Sequence, residues 1–480
     1  MKICLATLHA NPSFMPLSLL YLKASIVDRL GYAPGDVAIV EGSHDTNLEW
    51  FVVQVLATAP AVVGFSCYVW NITMLLSAAQ QIKSRAPDTI VVLGGPEVGP
   101  VAADVLRAHP AIDIVVTSEG EVPFAELVAR WSGGSAIDDV RGICRRRGGD
   151  VVEHDAAPIV KDLDELSSPH LPRFLDPRGR VACIETQRGC VFRCNFCFYN
   201  KDLSIRNRRF SLDRVKAEIL LALESEASDI YLMDPIFNLH AERAKEICRF
   251  IAAHNRRHVS VQAEVWAEFV DEELARLMGE ANFQFLEVGL QSTDGTALAT
   301  VERRLRIQRF EEGIGYLKAY AIKFELQLIF GLPGDTMASF RKSLNYASAL
   351  DPDYLAVFPL MILPGTELWR NAKALGVVFD PEPPYLVRSH FSMMAEEIAY
   401  GDRIMEALEY LRNSRTARSL SGQPGVTFAD LIDAWIRWRE EEAWPEAAAP
   451  NAKLFIAHFC GERQLDASHY LQLASSEFSG

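Results

Sequence analysis

The stretch VACIETQRGCVFRCNFCFY (residues 181–199) decides how the rest of the chain is read. Residues 181–186 have the apolar run of a buried strand. Directly after them, Cys190, Cys194 and Cys197 fall in C-x3-C-x2-C spacing within one short loop. Three thiolates so placed can hold three irons of a 4Fe–4S cube and leave the fourth iron without a protein ligand, unlike four-cysteine electron carriers. An open iron can bind a small molecule and hand it an electron. The competing reading is zinc, which wants four closed ligands. Cys183 is the spare cysteine for that reading, but it lies inside the strand. Three cysteines that merely pack are the blandest reading.

Downstream, strand-like runs at 229–233, 260–265, 285–289, 323–330 and 354–358 alternate with helical stretches at 212–223, 241–254, 272–279, 310–319 and 340–349. Six βα units in about 180 residues predict a partial (β/α)6 barrel of the TIM type over residues 181–389, with chemistry where strands end and loops begin. Polar or glycine residues stand at those ends: Asp234, Glu264, Gln291 with Ser292, and Gly331. Residues 390–480 read as a helical C-terminal region, with helices at 404–412 and 428–442 and a loop over 441–450. With the tail, Pro383, Pro384 and Tyr385 are expected to close one side of the barrel.

Upstream, residues 1–145 also alternate. Strands are expected at 2–7, 37–41, 61–68, 90–94 and 112–118, with helices at 17–30, 48–57, 73–86 and 121–131. The third and fifth strands are almost continuously apolar, as strands buried on both faces are. This predicts a doubly wound, Rossmann-like sheet with ligands at the carboxyl ends of its strands. Ser66, Tyr68 and Trp70 follow the third strand, Gly94 and Gly95 the fourth, Glu119 and Gly120 the fifth. Residues 146–180, with a Gly-Gly pair and four prolines, read as a linker with a small hairpin. The fold class is therefore α/β throughout, apart from the tail.

The composition agrees. The chain has 480 residues, 49% hydrophobic and 23% charged, which suits two to four globular domains and argues against disorder. Lys plus Arg is 48 and Asp plus Glu is 63, so the net charge is 48 − 63 = −15. That disfavours nucleic acid as a partner. The local basic runs, Arg145 to Arg147 and Arg206, Arg208 and Arg209, read as solvated surface. No apolar run reaches the ~18–20 residues of a membrane helix. The N-terminus lacks the cleavage site of a secretory signal. Nine cysteines, an odd number with three clustered, point to a reducing compartment and a cytoplasmic protein.

Cys190, Cys194 and Cys197 resemble the signature of the radical S-adenosylmethionine (SAM) superfamily. The sheet ahead of the barrel resembles the cobalamin-binding arrangement of one branch of it. The resemblance covers roughly residues 1–390. It implies a 4Fe–4S cluster on the three cysteines, SAM on the open iron, and cobalamin on the sheet. By the same resemblance Phe196 lies against the adenine, and the Gly-Leu-Gln-Ser and Gly-Leu-Pro-Gly-Asp strings supply SAM contacts. The SAM set is then Phe196, Asp234, Glu264, Gln291, Ser292 and Gly331. The cobalamin set is Ser66, Tyr68, Trp70, Gly94, Gly95, Glu119 and Gly120. Two departures stand out. Asp234-Pro235-Ile236 replaces the Gly-Gly-Glu that many members use for the SAM amino group, which leaves that ligand open. The Asp-x-His-x-x-Gly motif of many cobalamin proteins is broken at Thr7-Leu8-His9-Ala10-Asn11-Pro12, so Trp70, rather than His9, is expected under the lower face of cobalt.

The resemblance implies a C-methyltransferase. One SAM would methylate the reduced corrinoid. A second would be split to a 5′-deoxyadenosyl radical that takes hydrogen from an unactivated carbon, which then collects the methyl group. The protein's share is to position the reactants and exclude water. A small metabolite is the expected substrate, and flavodoxin or ferredoxin the expected electron donor. Two alternatives stay open: cobalamin-dependent rearrangement, ring contraction or cyclisation without methyl transfer, and a cobalamin or iron–sulfur sensor without turnover.

Overall fold

The computed structural model describes residues 1–200, 207–411, 415–441 and 452–477. Arg206, residues 412 and 442 at the ends of two expected helices, and the remainder of the loop expected up to residue 450 lie outside these.

Seven strands make the first sheet: β1 Ile3–His9, β2 Val37–Ser43, β3 Val62–Ser66, β4 Ile90–Gly94, β5 Ile114–Val116, β6 Ile143–Arg147 and β7 Asp150–Glu153. Their order is β2-β1-β3-β4-β5-β6-β7. The first five are parallel. Side chains alternate between two cores, as period-two geometry demands. Cys4, Ala6, Val63, Phe65, Val91 and Leu93 pack with helices Leu48–Ala57, Ile72–Arg85 and Ala102–Ala108. Ile3, Leu5, Val62 and Val92 pack with Leu17–Leu30 and Glu121–Ser132 on the other face. The sheet is doubly wound, with its topological switch between β1 and β3.

The hairpin expected in the linker belongs to this sheet, which therefore continues past residue 145. β6 pairs antiparallel with β5, and β7 with β6. The reason is edge cover. β5 is three residues long, and β6 satisfies the backbone groups it would otherwise show to solvent.

The second sheet has six parallel strands. Its first is β8 Val181–Ile184; the short strands β9 Gln187–Arg188 and β10 Arg208–Arg209 pair antiparallel on either side of the cysteine loop. The others are β11 Asp229–Leu232, β12 Ser260–Val265, β13 Phe283–Gln291, β14 Phe324–Phe330 and β15 Tyr354–Pro359, in the order β15-β14-β13-β12-β11-β8. This is the expected partial barrel. Polar side chains on its strands bond to one another: Tyr231 donates to Glu287 at 3.1 Å, and Gln327 donates to Glu287 at 3.1 Å and to Glu325 at 3.0 Å.

A small hairpin follows, β16 Val378–Phe379 with β17 Val387–Ser389. Helices Ala395–Leu411, Arg415–Ser421, Phe428–Glu441, Ala452–Glu462 and Ala467–Glu477 complete the chain. They share one core with the barrel, around the buried Trp435, Phe340 and Phe330. Helix Ala395–Leu411 lies so close to the barrel that a Cβ on Gly401 would overlap the Phe330 ring.

The two sheets are joined by backbone as well as side chains. Met15 donates its N–H to Val181 at 3.1 Å, and Val181 donates to Ser13 at 2.9 Å. Arg180 holds Glu41 through both guanidinium ends, at 3.0 and 2.7 Å. No described helix is long and apolar enough to cross a membrane.

Candidate active site

The cysteine loop leaves the carboxyl end of β8 and is held from three sides. Asn195 donates its N–H to Val301 at 3.1 Å and its side-chain amide to Thr300 at 2.8 Å. Leu368 donates its N–H to Asn195 at 2.9 Å. Cys197 N–H closes a turn on Cys194 at 3.0 Å. Cys194 is 6% exposed, and Cys190 and Cys197 are half-buried. Burial pushes Cys197 up to about 12 and raises Cys190, so these two thiols hold their protons at neutral pH until a metal displaces them.

The three thiols feel one another's charge. Yet among the described residues no three His, Cys, Asp or Glu side chains converge on a point that suits a single ion. Zinc needs its ligands drawn together at about 2.3 Å from one centre. A cube gives each thiolate its own iron and so takes a wider set. Three thiols are the donor set of a 4Fe–4S cube with one open iron, and Cys183, the spare cysteine for a zinc reading, is buried in β8.

Arg303, which sequence reading missed, lies beside this loop. One guanidinium nitrogen is 3.9 Å from Cys194 Sγ, and another donates to the Gly289 carbonyl. The guanidinium sits 4.3 Å over Trp266, whose ring stacks on Phe192 at 4.0 Å. Arg303 follows the Gly-Leu-Gln-Ser string by one short helix, which was the available signal. Glu264, at the end of β12, shares the neighbourhood. Burial, then Glu287, push its carboxyl up to about 8 against the pull of Arg303. It is predominantly neutral at pH 7 and can donate a hydrogen bond.

The other SAM candidates divide. Phe196 packs half-buried against the barrel core. Gln291 ends β13, and its side-chain oxygen is buried without a partner among the described residues, a vacancy that suits a ligand donor. Gly331 follows β14 at φ +87°. Asp234 and Ser292 are hydrogen-bonded within the protein. Asp234 accepts from Thr186 N–H at 2.7 Å, Thr186 Oγ1 at 2.5 Å and Gln187 N–H at 3.1 Å, and burial raises it to about 7. It holds the start of the cysteine loop. Ser292 is fully buried, bonded to Asp335 at 3.3 Å and to the N–H of Asp294 at 3.0 Å.

On the sheet, Tyr68 and Trp70 stack at 4.4 Å, 5° from parallel, and Trp70 is 49% exposed. The Trp70 indole N–H donates to Leu8 at 3.2 Å. Ser66 Oγ lies 3.0 Å from Ser18 Oγ. Gly94 ends β4, and Gly95 adopts φ +115°, where a Cβ would meet the Cys67 carbonyl oxygen at 2.4 Å. At Gly95 only glycine allows the loop after β4 to pack this closely on the Cys67 backbone. Gly120 precedes helix Glu121–Ser132. Glu119 differs from expectation: it pairs with Arg208 across the domain boundary, at 3.0 Å for one of its two contacts. His9 bonds Glu41 at 2.7 Å, inside the Arg180 pair.

Tyr199, also missed, connects the halves. It feels the charges of Glu264, Glu185 and Cys197 on the barrel and of Tyr68 on the sheet. The residue is 53% exposed.

Comparison with known proteins agrees with this arrangement. Residues 4–128 match the B12 binding domain and residues 184–347 match the Radical SAM superfamily. The chain is 26% identical over 366 residues to an uncharacterized methyltransferase of Pyrococcus horikoshii, covering 75% of this chain and 78% of that one. It is 29% identical over 330 residues to the cobalamin-dependent radical SAM methyltransferase TokK of Streptomyces tokunonensis, covering 64% of this chain and 48% of TokK. The chain thus spans about half the length of that relative. Among solved structures, TsrM of Kitasatospora setae superposes with TM-score 0.67 at 18% identity, over 81% of this chain and 80% of TsrM. OxsB superposes with TM-score 0.69 at 14% identity, over 99% and 78%. A B12-binding sheet joined to a radical SAM barrel defines the class. This chain belongs to the cobalamin-dependent radical SAM enzymes.

Proposed function

We propose that the chain is a C-methyltransferase that moves a methyl group from SAM to an unactivated carbon of a small metabolite. One observation carries the reading: the Cys190–Cys194–Cys197 loop follows the first barrel strand, and Tyr199, two residues beyond Cys197, lies within electrostatic reach of both Tyr68 on the sheet and Glu264 on the barrel. The name of TokK supports methyl transfer. TsrM, described with a tryptophan substrate and a SAM analogue, supports a small substrate.

When bound, the cluster with SAM supplies a radical able to take hydrogen from carbon, and the corrinoid supplies the methyl group. Cys190, Cys194 and Cys197 would hold the cluster. Phe196, Glu264, Gln291 and Gly331 would hold SAM, with Asp234 and Ser292 positioning the loops that carry these contacts. Ser66, Tyr68, Trp70, Gly94, Gly95 and Gly120 would line the corrinoid site. Trp70 offers an apolar face and no ligand atom, because an indole nitrogen has no free lone pair; its N–H is given to Leu8. Glu264, neutral at pH 7, keeps a donor at the strand end without placing a bare charge beside the thiolates. Reduction falls to a one-electron donor such as flavodoxin or ferredoxin.

The test is anaerobic incubation with methyl-labelled SAM, a reductant and a metabolite extract. Labelled product heavier by one methyl group, together with 5′-deoxyadenosine, supports the reading. An unlabelled product of unchanged mass, or no SAM cleavage at all, rejects it.

A further inference from the structure

The geometry points to a docking surface for a small acidic electron-transfer protein on the outer side of the cysteine loop, centred on Arg193, Arg304, Arg370 and Lys373. This inference rests on the functional reading above, since a cluster must be there to be reduced. Three segments meet at this place. The cysteine loop is bonded to Thr300 and Val301 through Asn195, and Leu368 is bonded to the Asn195 carbonyl at 2.9 Å. Each segment carries an exposed cation close to its bond: Arg193 on the loop, Arg304 after Val301, and Arg370 with Lys373 after Leu368. No carboxylate pairs with any of the four among the described residues. The acids on the same segments are fewer, Glu302 and Glu367.

Two of the cations adjoin the site directly. Arg193 is exposed and next in sequence to the buried Cys194. Arg304 follows Arg303, which reaches Cys194 Sγ at 3.9 Å. Electron transfer between proteins falls steeply with distance, so a donor gains most by docking here. On a chain of net charge −15, an acidic partner is repelled in general and steered only by a local positive field. In the step itself no bond forms or breaks. One electron leaves the reduced carrier, which is oxidised, and enters the cluster, which is reduced.

The test uses holoenzyme and a purified acidic flavodoxin in its reduced form, with dithionite as the small donor. The variant is Arg304→Glu with Arg370→Glu and Lys373→Glu, which leaves the cysteine loop intact; Arg193→Gln is made separately. At about 20 mM salt the triple variant should be reduced by flavodoxin at least about tenfold more slowly than wild type. Calorimetric affinity for oxidised flavodoxin should fall in parallel, and the gap should close as salt rises. Arg193→Gln should show a smaller loss of the same kind. Dithionite should reduce all three proteins at similar rates. Equal flavodoxin rates and affinities, with dithionite reduction intact, overturn the docking surface alone. Wild-type protein with no cluster that dithionite can reduce overturns the functional reading, and this inference with it.

Discussion

Tyr385 donates its phenolic hydrogen to Glu97 at 2.5 Å, joining two residues 288 positions apart across the domain boundary. Glu97 stands two residues after Gly95, on the loop assigned to the corrinoid. Tyr385 lies between β16 and β17, on the segment expected to close the barrel, with its ring edge-on to Trp369 at 5.5 Å. One hydrogen bond thus connects the corrinoid side of the protein to the segment covering the barrel.

Burial pushes the Glu97 carboxyl up to about 7 against the pull of Tyr385. A raised folded-state value means that the folded chain holds the proton longer than the unfolded one. The stabilising contribution is complete below about pH 4.5 and is lost as pH rises through about 7. Glu97→Gln keeps an acceptor for Tyr385 and removes the titration. Denaturant melts at pH 5 and pH 8 should show wild type losing about 1–2 kcal/mol more than the variant over that interval. Equal losses would contradict the assignment.

Asp234 accepts two backbone N–H groups and one hydroxyl at the start of the cysteine loop. Asp234→Ala leaves those buried donors unpaired, at about 1–3 kcal/mol for each group left unsatisfied. Iron content after reconstitution should fall together with thermal stability. Full iron loading with a large loss of SAM affinity would instead return Asp234 to the SAM site.

His9 is held by Glu41 within the Arg180 pair, so His9→Ala should leave the visible spectrum of the bound corrinoid unchanged. Trp70→Ala, which uncovers the lower face, should alter that spectrum and weaken corrinoid retention. A spectral shift confined to the His9 variant would make His9 the cobalt ligand and contradict the account.

At Gly95 an added methyl meets both a positive φ and the Cys67 carbonyl. Gly95→Ala should cost about 2–4 kcal/mol of stability in the sheet domain and reduce corrinoid uptake. Wild-type stability and uptake would show that the loop can move aside.

The sheet and barrel were legible because their strands carry either a nearly continuous apolar run, as β3 and β4 do, or an apolar residue at every second position, as β12 does. The strand expected at 260–265 is β12 in full, and the other barrel strands differ at their ends by a few residues. β6 and β7 were placed in a linker because they are polar and antiparallel, and only the bare edge of β5 gives them a place. Three C-terminal helices went unread; their apolar residues face a core shared with the barrel, which no local period displays. The three candidate cysteines stand out by their spacing alone. Asp234, Ser292 and Glu119 stand near the expected sites but serve other partners, since a sequence lists donors without showing what already occupies them. Arg303 and Tyr199 escaped for the opposite reason: their surroundings are assembled from several segments, the farthest 109 residues from Arg303 and 131 from Tyr199.

The most direct measurement is the iron and cobalt content of anaerobically purified, reconstituted chain, beside the same preparation of Cys194→Ala. The account predicts about four irons and one corrinoid per wild-type chain, with iron lost and corrinoid kept in the variant. Zinc in place of iron, or a wild-type chain that takes up no corrinoid, would contradict it.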